Sequence, residues 1–316
     1  MTKVVVTGGG GFIGSHLVRH LCEQDHKVVV VDNFSAGTFE EFPGRYVASA
    51  DYKTGRDIDL AKLDLWFDAL ENCMRGADAV FHLAALPRVQ YSLQYPLKTN
   101  LTNVSGTVGV LQAAKAAEVR RVVFASSSSV YGDSQNLPLK ESQPLDPMSP
   151  YALQKMQGEQ DCAFFAKHFG LQTVCVRLFN AYGPDADPKG AYALVIAKFF
   201  DQLLQGGPMT ITGDGEQTRD FTHVRDVVRA FVLAAQSQSV GAGEAINIGG
   251  GCQISINRIA ELIGGPRTYI PARLEPRRTL ADISLAKELL GWVPEVSFEE
   301  GIAELKSLHF PHRSAA

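Results

Sequence analysis

Thr7-Gly8-Gly9-Gly10-Gly11-Phe12-Ile13-Gly14-Ser15-His16-Leu17 is the stretch on which the reading of this chain turns. It follows an apolar run at 3–7 and opens a stretch, 13–23, in which Ile13, Leu17 and Leu21 recur at helical spacing. Glycines let the backbone turn sharply and approach a bound group closely, and the helix N-terminus that follows offers free N–H groups and a partial positive charge. The spacing G-x-x-G-x-x-G at Gly8, Gly11 and Gly14, between a strand and a helix, predicts a dinucleotide pyrophosphate site. No Gly-Lys-Ser/Thr follows, so it is not the phosphate loop of an NTPase. Taken alone, such a loop could be no more than a tight strand-to-helix turn. The next apolar run, however, ends in Asp32, followed by Asn33, near the spacing expected for a ribose-binding acid. A carboxylate there accepts from the adenosine ribose hydroxyls and repels a 2′-phosphate, which predicts NAD rather than NADP.

The rhythm continues outward from this loop. Runs at 3–7, 28–32, 79–83, 122–126 and 173–178 are rich in Val and Phe and apolar on both faces, the pattern of central parallel strands. Helical stretches lie between them at 13–23, at 104–117, where Val104, Val108, Leu111 and Ala114 share a face, and at 151–169. This alternation predicts an α/β fold, a Rossmann-type doubly wound parallel sheet. After about residue 180 helices recur at 194–204, 224–235, 256–263 and 298–308, punctuated by Gly206-Gly207-Pro208 and Gly249-Gly250-Gly251. We expect an NAD-binding Rossmann domain over 1–180 and a smaller, mixed α/β substrate region over 181–316, with room for the chain to cross back around 224–250.

Composition narrows the field. With 316 residues the chain is long enough for a substantial core, and a soft prior gives about two domains. The net charge is -4 and the 30 basic residues are scattered, so no nucleic-acid surface is expected. The five cysteines are odd in number and none are paired as C-x-x-C, which argues against a zinc site and a secreted disulfide framework and for reduced thiols in the cytoplasm. Val4-Val5-Val6 is too short for a signal peptide or a membrane span. Neither a metal nor a membrane partner is expected.

Two further stretches carry chemistry. Tyr151-Ala152-Leu153-Gln154-Lys155 follows Ser149-Pro150 and sets a phenol and an amine on one helix face. A tyrosine is a poor base at neutral pH, but a neighbouring ammonium and an oxidised nicotinamide both favour its phenolate, giving a general base for a hydroxyl proton. By itself this pair could be an exposed helix face. The strand at 122–126 runs into Ser126-Ser127-Ser128-Ser129-Val130-Tyr131-Gly132, and hydroxyls at the C-terminal end of a parallel strand sit where such sheets bind ligands.

Together these motifs resemble the extended short-chain dehydrogenase/reductase family, the NAD-dependent sugar epimerases and dehydratases, over nearly the whole chain. The resemblance rests on the Gly8/Gly11/Gly14 loop, Asp32, His82-Leu83-Ala84-Ala85, Asn103, the serine motif and Tyr151/Lys155. It implies Ser127 as the catalytic hydroxyl beside Tyr151 and Lys155. It implies Phe12, Ile13, Leu83, Ala84, Ala85 and Leu86 along the cofactor, Asn103 bracing the strand ends, and an adenine contact at Asp64-Leu65 or, alternatively, Asp57-Ile58. On the substrate side it implies Asn180 of Arg177-Leu178-Phe179-Asn180, Val195 over the nucleotide, and Arg219 of Gly213–Phe221 as a diphosphate clamp, with Arg273 and Glu275 near a further diphosphate- and ribose-binding stretch. The other reading of both arginines is a surface salt bridge.

Related dehydratases and decarboxylases carry an acid just before Val-Tyr-Gly; here Ser128 and Ser129 precede it. The resemblance therefore implies a UDP-hexose 4-epimerase that oxidises and re-reduces C4 through a transient 4-keto sugar. Thr279, small where a bulky aromatic would exclude N-acetyl sugars, extends this to the N-acetylhexosamine pair, or merely packs in the pocket wall. The alternatives are another nucleotide-sugar epimerase, a dehydratase or reductase of the same family, or a non-catalytic NAD-sensing protein. A homodimer is implied through helices 104–117 and 151–169, although Phe164, Phe165 and Phe169 could equally be intramolecular core.

Overall fold

The computed structural model describes residues 2–33, 46–48, 63–188, 195–272 and 276–310, with backbone alone for 46–48 and 63–68. The first half runs β1 (Lys3–Thr7), α1 (Phe12–Glu23), β2 (Lys27–Val31), β3 (Tyr46–Ala48), α2 (Leu63–Met74), β4 (Ala79–His82), α3 (Val89–Gln94), α4 (Pro96–Asn100), α5 (Gly106–Ala116), β5 (Arg121–Ser127), α6 (Pro150–Phe169) and β6 (Gln172–Leu178). The second runs β7 (Ala181–Tyr182), α7 (Val195–Leu204), β8 (Met209–Thr212), β9 (Thr218–Arg219), β10 (Thr222–His223), α8 (Val224–Gln236), β11 (Ala242–Ile248), β12 (Ile254–Ser255), α9 (Ile256–Ile263), β13 (Arg267–Ile270), α10 (Ser284–Leu290) and α11 (Phe298–His309).

Seven strands form one sheet, ordered β11-β6-β5-β4-β1-β2-β3, with every pairing parallel. The Val-rich strands are apolar on both faces because both faces are covered. Val4, Val6, Val28 and Val30 pack with Leu17 and Leu21 of α1 and Phe231 of α8. Val5, Val29 and Val31 turn to the other side and meet Leu70 of α2, Leu111 of α5 and Cys162 of α6. A separate core, including Phe199, Phe200, Ile211, Ile259 and Phe298, holds α7, β8, α9 and α11 together.

The five expected strands are present as β1, β2, β4, β5 and β6, and two more join them. β11 has the sequence Ala-Gly-Glu-Ala-Ile-Asn-Ile, whose first half lacks strand character; its register on β6 also shifts between Ala242 and Glu244. It is an edge strand held by tertiary contacts, and α8 reaches it after the chain has left the smaller core. Arg121 secures this return. Buried at the start of β5, its guanidinium donates to the carbonyls of Ala234, Ala235, Ser237 and Val240 and to Gln172 Oε1. A cation over the last carbonyls of α8 satisfies acceptors that the helix leaves open and complements its dipole.

The expected helix over 104–117 starts differently. Leu101–Ser105 forms a π-helical turn before α5. Asn103 lies in that turn, buried; its Oδ1 accepts from Leu86 N at 2.8 Å, and its Nδ2 donates to Gln154 Oε1 at 2.8 Å. The amide thus ties the loop after β4 to α6.

Candidate active site

The glycine loop joins β1 to α1 at the C-terminal edge of the sheet. Gly8 has φ +74, and a Cβ there would stand 2.5 Å from Ala84 N; one on Gly14 would stand 2.1 Å from Gly8 O. Side chains are excluded, so the loop lies flat against the segment after β4. α1 begins at Phe12 with Gly11 as its N-cap, and neither a side-chain cap nor an acidic residue occupies its first turn. Those amides are open to an anion. Asp32 follows β2, half-buried, and its Oδ2 accepts from Gly10 N at 2.8 Å, so the acid and the loop hold each other. Asn33 beside it is exposed, and Ile13, Leu83, Ala84 and Ala85 are half-buried around the same edge. This cradle fits a dinucleotide: an open helix N-terminus, a side-chain-free turn and an acid one strand away.

Asp64 and Leu65 fall in the first turn of α2, with side chains outside the described residues, as are Asp57, Ile58, Arg273 and Glu275. The adenine contact stays an expectation.

β5 and α6 bring the next three residues together. Ser149 caps α6, accepting from Ala152 N at 3.2 Å, and Pro150 takes the first-turn position where its missing N–H costs nothing. Tyr151 N is held by Ser92 Oγ at 3.0 Å. The Ser127 side chain faces the Tyr151 hydroxyl and favours its ionised form. Ser127 Oγ also accepts from Ser129 Oγ at 2.9 Å and Ser129 N at 3.2 Å. Lys155, one turn along α6, is 3% exposed; its Nζ donates to Ala125 O at 2.7 Å and lies 5.9 Å from the centroid of the Tyr151 ring. Burial pushes Tyr151 up to about 12, against the opposing effect of Ser127, and lowers Lys155 to about 8. The two groups converge because α6 packs tightly on β5: a Cβ on Gly158 would stand 2.6 Å from the Phe124 ring.

Beneath them lies a buried polar network that sequence reading missed. Ser126 Oγ donates to Glu159 Oε1 at 2.5 Å; Arg177 donates to both Glu159 oxygens at 2.9 and 2.7 Å and to Tyr131 Oη at 2.8 Å; Tyr131 in turn donates to Asn247. Glu159 stands four residues after Lys155, a spacing that marks the shared helix face, but its partner on β6 is visible only in three dimensions. His82 is buried between Thr7 Oγ1 and Thr107 Oγ1, and burial lowers it to about 3, so it stays neutral.

On the substrate side, Asn180 takes a left-handed φ of +26 after β6 and donates from Nδ2 to Asp220 O at 2.7 Å. Arg219, half-buried on β9, donates to Thr218 O at 2.9 Å. Thr279 Oγ1 accepts from Asp220 N at 3.2 Å. Val195 is the first residue of α7 and packs against the smaller core. Among the described residues no cluster of His, Cys, Asp and Glu is arranged to hold a metal, and no helix is long and apolar enough to cross a membrane.

Known proteins share this architecture. UDP-glucose 4-epimerase from Mycolicibacterium smegmatis is 36% identical over 312 residues, covering 96% of each chain. The structure of UDP-N-acetylglucosamine 4-epimerase from Methanobrevibacter ruminantium in complex with UDP-N-acetylmuramic acid superposes with a TM-score of 0.86 at 36% identity, covering 97% of this chain and 99% of that one. A variant UDP-glucuronic acid 4-epimerase from Bacillus cereus, in complex with UDP-4-deoxy-4-fluoro-glucuronic acid and NAD, superposes with a TM-score of 0.80 at 33% identity, covering 97% of this chain and 100% of that one. A family model matches residues 4–249, and the chain belongs to the NAD-dependent epimerase/dehydratase family.

Proposed function

We propose that the chain is a UDP-hexose 4-epimerase, inverting C4 of UDP-glucose and UDP-galactose, and of the N-acetylhexosamine pair, through a transient 4-keto sugar. The observation that carries this reading is the juxtaposed Ser127–Tyr151 pair at the end of β5, with Lys155 buried beneath it and the glycine loop on the same sheet edge. NAD, when bound, supplies the acceptor and then the donor of the C4 hydride. Gly8, Gly11, Phe12, Ile13 and Gly14 would hold its pyrophosphate, Asp32 its adenosine ribose, and Leu83, Ala84 and Ala85 would flank it. Tyr151 takes the C4 hydroxyl proton while Ser127 holds that oxygen; on the return step Tyr151 gives the proton back. Lys155 keeps the phenol's charge within reach of neutral pH. Arg219 grips the diphosphate, where a planar guanidinium gives two parallel contacts, and Asn180 and Val195 line the same nucleotide sugar. Anchoring by the remote UDP leaves the sugar free to turn over between the two hydride steps. Ser128 and Ser129 supply no carboxylate for elimination or decarboxylation, which favours simple inversion.

The test is to incubate the protein with UDP-glucose, UDP-N-acetylglucosamine and UDP-glucuronate, without added reductant, and read products by NMR. The C4-inverted sugar is expected from the first two. A dehydrated or decarboxylated product, or no inversion of any of the three, refutes the reading. Tyr151→Phe is expected to abolish turnover and retain NAD.

A homodimer is part of this proposal. Leu153 and Phe164 are 51% and 52% exposed, three turns apart on one face of α6, and Leu93 of the neighbouring α3, Leu97 of α4 and Tyr95 between them are exposed. Phe165 turns inward to the main core, so it is not part of that face.

A further inference from the structure

Asp220 stands between Arg219 and Phe221 and is wholly buried. Its Oδ1 accepts from Gly250 N at 2.6 Å, and its Oδ2 accepts from Ala281 N at 2.9 Å and Gly251 N at 3.2 Å. Its main chain is engaged as well: its N donates to Thr279 Oγ1 at 3.2 Å and its O accepts from Asn180 Nδ2 at 2.7 Å. The packing around it leaves no slack. A Cβ on Gly249 would stand 2.8 Å from Asp220 Oδ2, and one on Gly250 would stand 2.3 Å from Phe221 O. One residue therefore joins three separate segments at the sheet's C-terminal edge: the loop after β6, the glycine turn after β11, and the stretch 279–281.

No cation pairs with this carboxylate among the described residues; backbone N–H groups alone oppose the burial that raises it. An unpaired buried acid is a costly way to join loops. The geometry explains why an acid is used nonetheless. Three N–H donors converge on two oxygens, and an asparagine would offer one acceptor and aim its own N–H₂ at a donor. The Asp220 main chain engages Asn180 and Thr279 and continues directly from Arg219; Asn180 and Arg219 are proposed to contact the nucleotide sugar, with Thr279 in the pocket wall, and the inference rests on that reading.

We infer that Asp220 is a positioning residue for the substrate: its carboxylate pins the glycine turn after β11 and residue 281, and so fixes its own main chain, which holds Asn180 and Thr279 and carries Arg219, as one rigid wall against which the activated sugar is bound and discriminated. It touches neither the cofactor loop nor the Ser127–Tyr151 pair, so its removal acts on sugar-nucleotide binding rather than on NAD.

The test uses the full chain with Asp220→Asn and, as a milder change, Thr279→Val, which removes the acceptor for Asp220 N, with Thr279→Ser, which keeps that hydroxyl, as the control for the direct place of residue 279 in the pocket wall. UDP and NAD affinities are read by calorimetry, and kcat and KM are measured for UDP-glucose and UDP-N-acetylglucosamine. Asp220→Asn is expected to weaken UDP and raise KM at least tenfold, and to change the ratio of kcat/KM for the two sugars at least fivefold. NAD affinity and kcat are expected to stay within threefold. Thr279→Val is expected to shift KM and the sugar ratio in the same direction by a smaller factor, and it carries the test if Asp220→Asn does not fold. Unchanged UDP affinity and sugar ratio in the folded variants overturn the inference, as does an equal loss of NAD and UDP binding, the mark of general loosening. If the wild type binds UDP but turns over no UDP-sugar, the proposed reaction fails while the UDP comparison still decides the role of Asp220.

Discussion

Lys155→Met tests how the phenol is brought to work. Burial, opposed by Ser127, holds Tyr151 at about 12, and burial lowers Lys155 from 10.5 to about 8, so at pH 7 the lysine is an ammonium and the tyrosine a neutral phenol. The amine stands 5.9 Å from the phenol ring centroid. Two unit charges about 6 Å apart at an effective dielectric near 20 interact by about 3 kcal/mol, or about two pKa units. Removing the ammonium should therefore make the phenolate about two units harder to form. In the cofactor-loaded enzyme kcat at pH 7 should fall about 100-fold, and the acid limb of the kcat profile should move up by about two units, so that the rate recovers about tenfold per pH unit. Stability should move the other way. Because the folded pKa of Lys155 is depressed, the penalty for burying its charge is fully present below about pH 8 and fades as pH rises toward the unfolded value of 10.5. Methionine removes that penalty, about 3 kcal/mol, and leaves Ala125 O without its donor, costing about 1–3 kcal/mol. The variant should thus melt no lower than wild type at pH 7, and wild type should gain on it between about pH 8 and 10.5. A flat pH profile within threefold of wild type would refute the electrostatic role given to Lys155.

Gly14→Ala puts a Cβ 2.1 Å from Gly8 O, a backbone contact that no rotamer relieves; the loop must move by about 1 Å, and titration should show NAD affinity down about 100-fold, against unaltered affinity if the cofactor lies elsewhere. Arg121→Met leaves several buried carbonyls at the end of α8 without a donor, so chemical denaturation should show a loss of about 3–5 kcal/mol, and a loss under 1 kcal/mol would contradict the account of how α8 and β11 are held. If the proposed homodimer forms, the wild type should sediment as a dimer and Leu153→Lys with Phe164→Lys as a monomer in analytical ultracentrifugation; a wild type that sediments as a monomer removes the proposed interface.

Much of this protein was legible along the chain because its signals are local. The turn at Gly8, Gly11 and Gly14 needs residues without side chains at fixed offsets, the five Val-rich strands are apolar on both faces because helices cover both, and Ser149-Pro150 announces the start of α6 one residue before the phenol. What sequence could not supply are pairings between distant segments whose own residues carry no pattern. β11 is a strand only because β6 offers it a ladder and Arg121 pins the helix before it. Asp220 looks like any loop carboxylate until three loops close around it, and Glu159 finds Arg177 only when α6 lies on the sheet. Local conformational preference is written in neighbours along the chain, whereas desolvation and the convergence of donors on one carboxylate depend on groups brought together by folding, and those alone decided where the charges of this site lie.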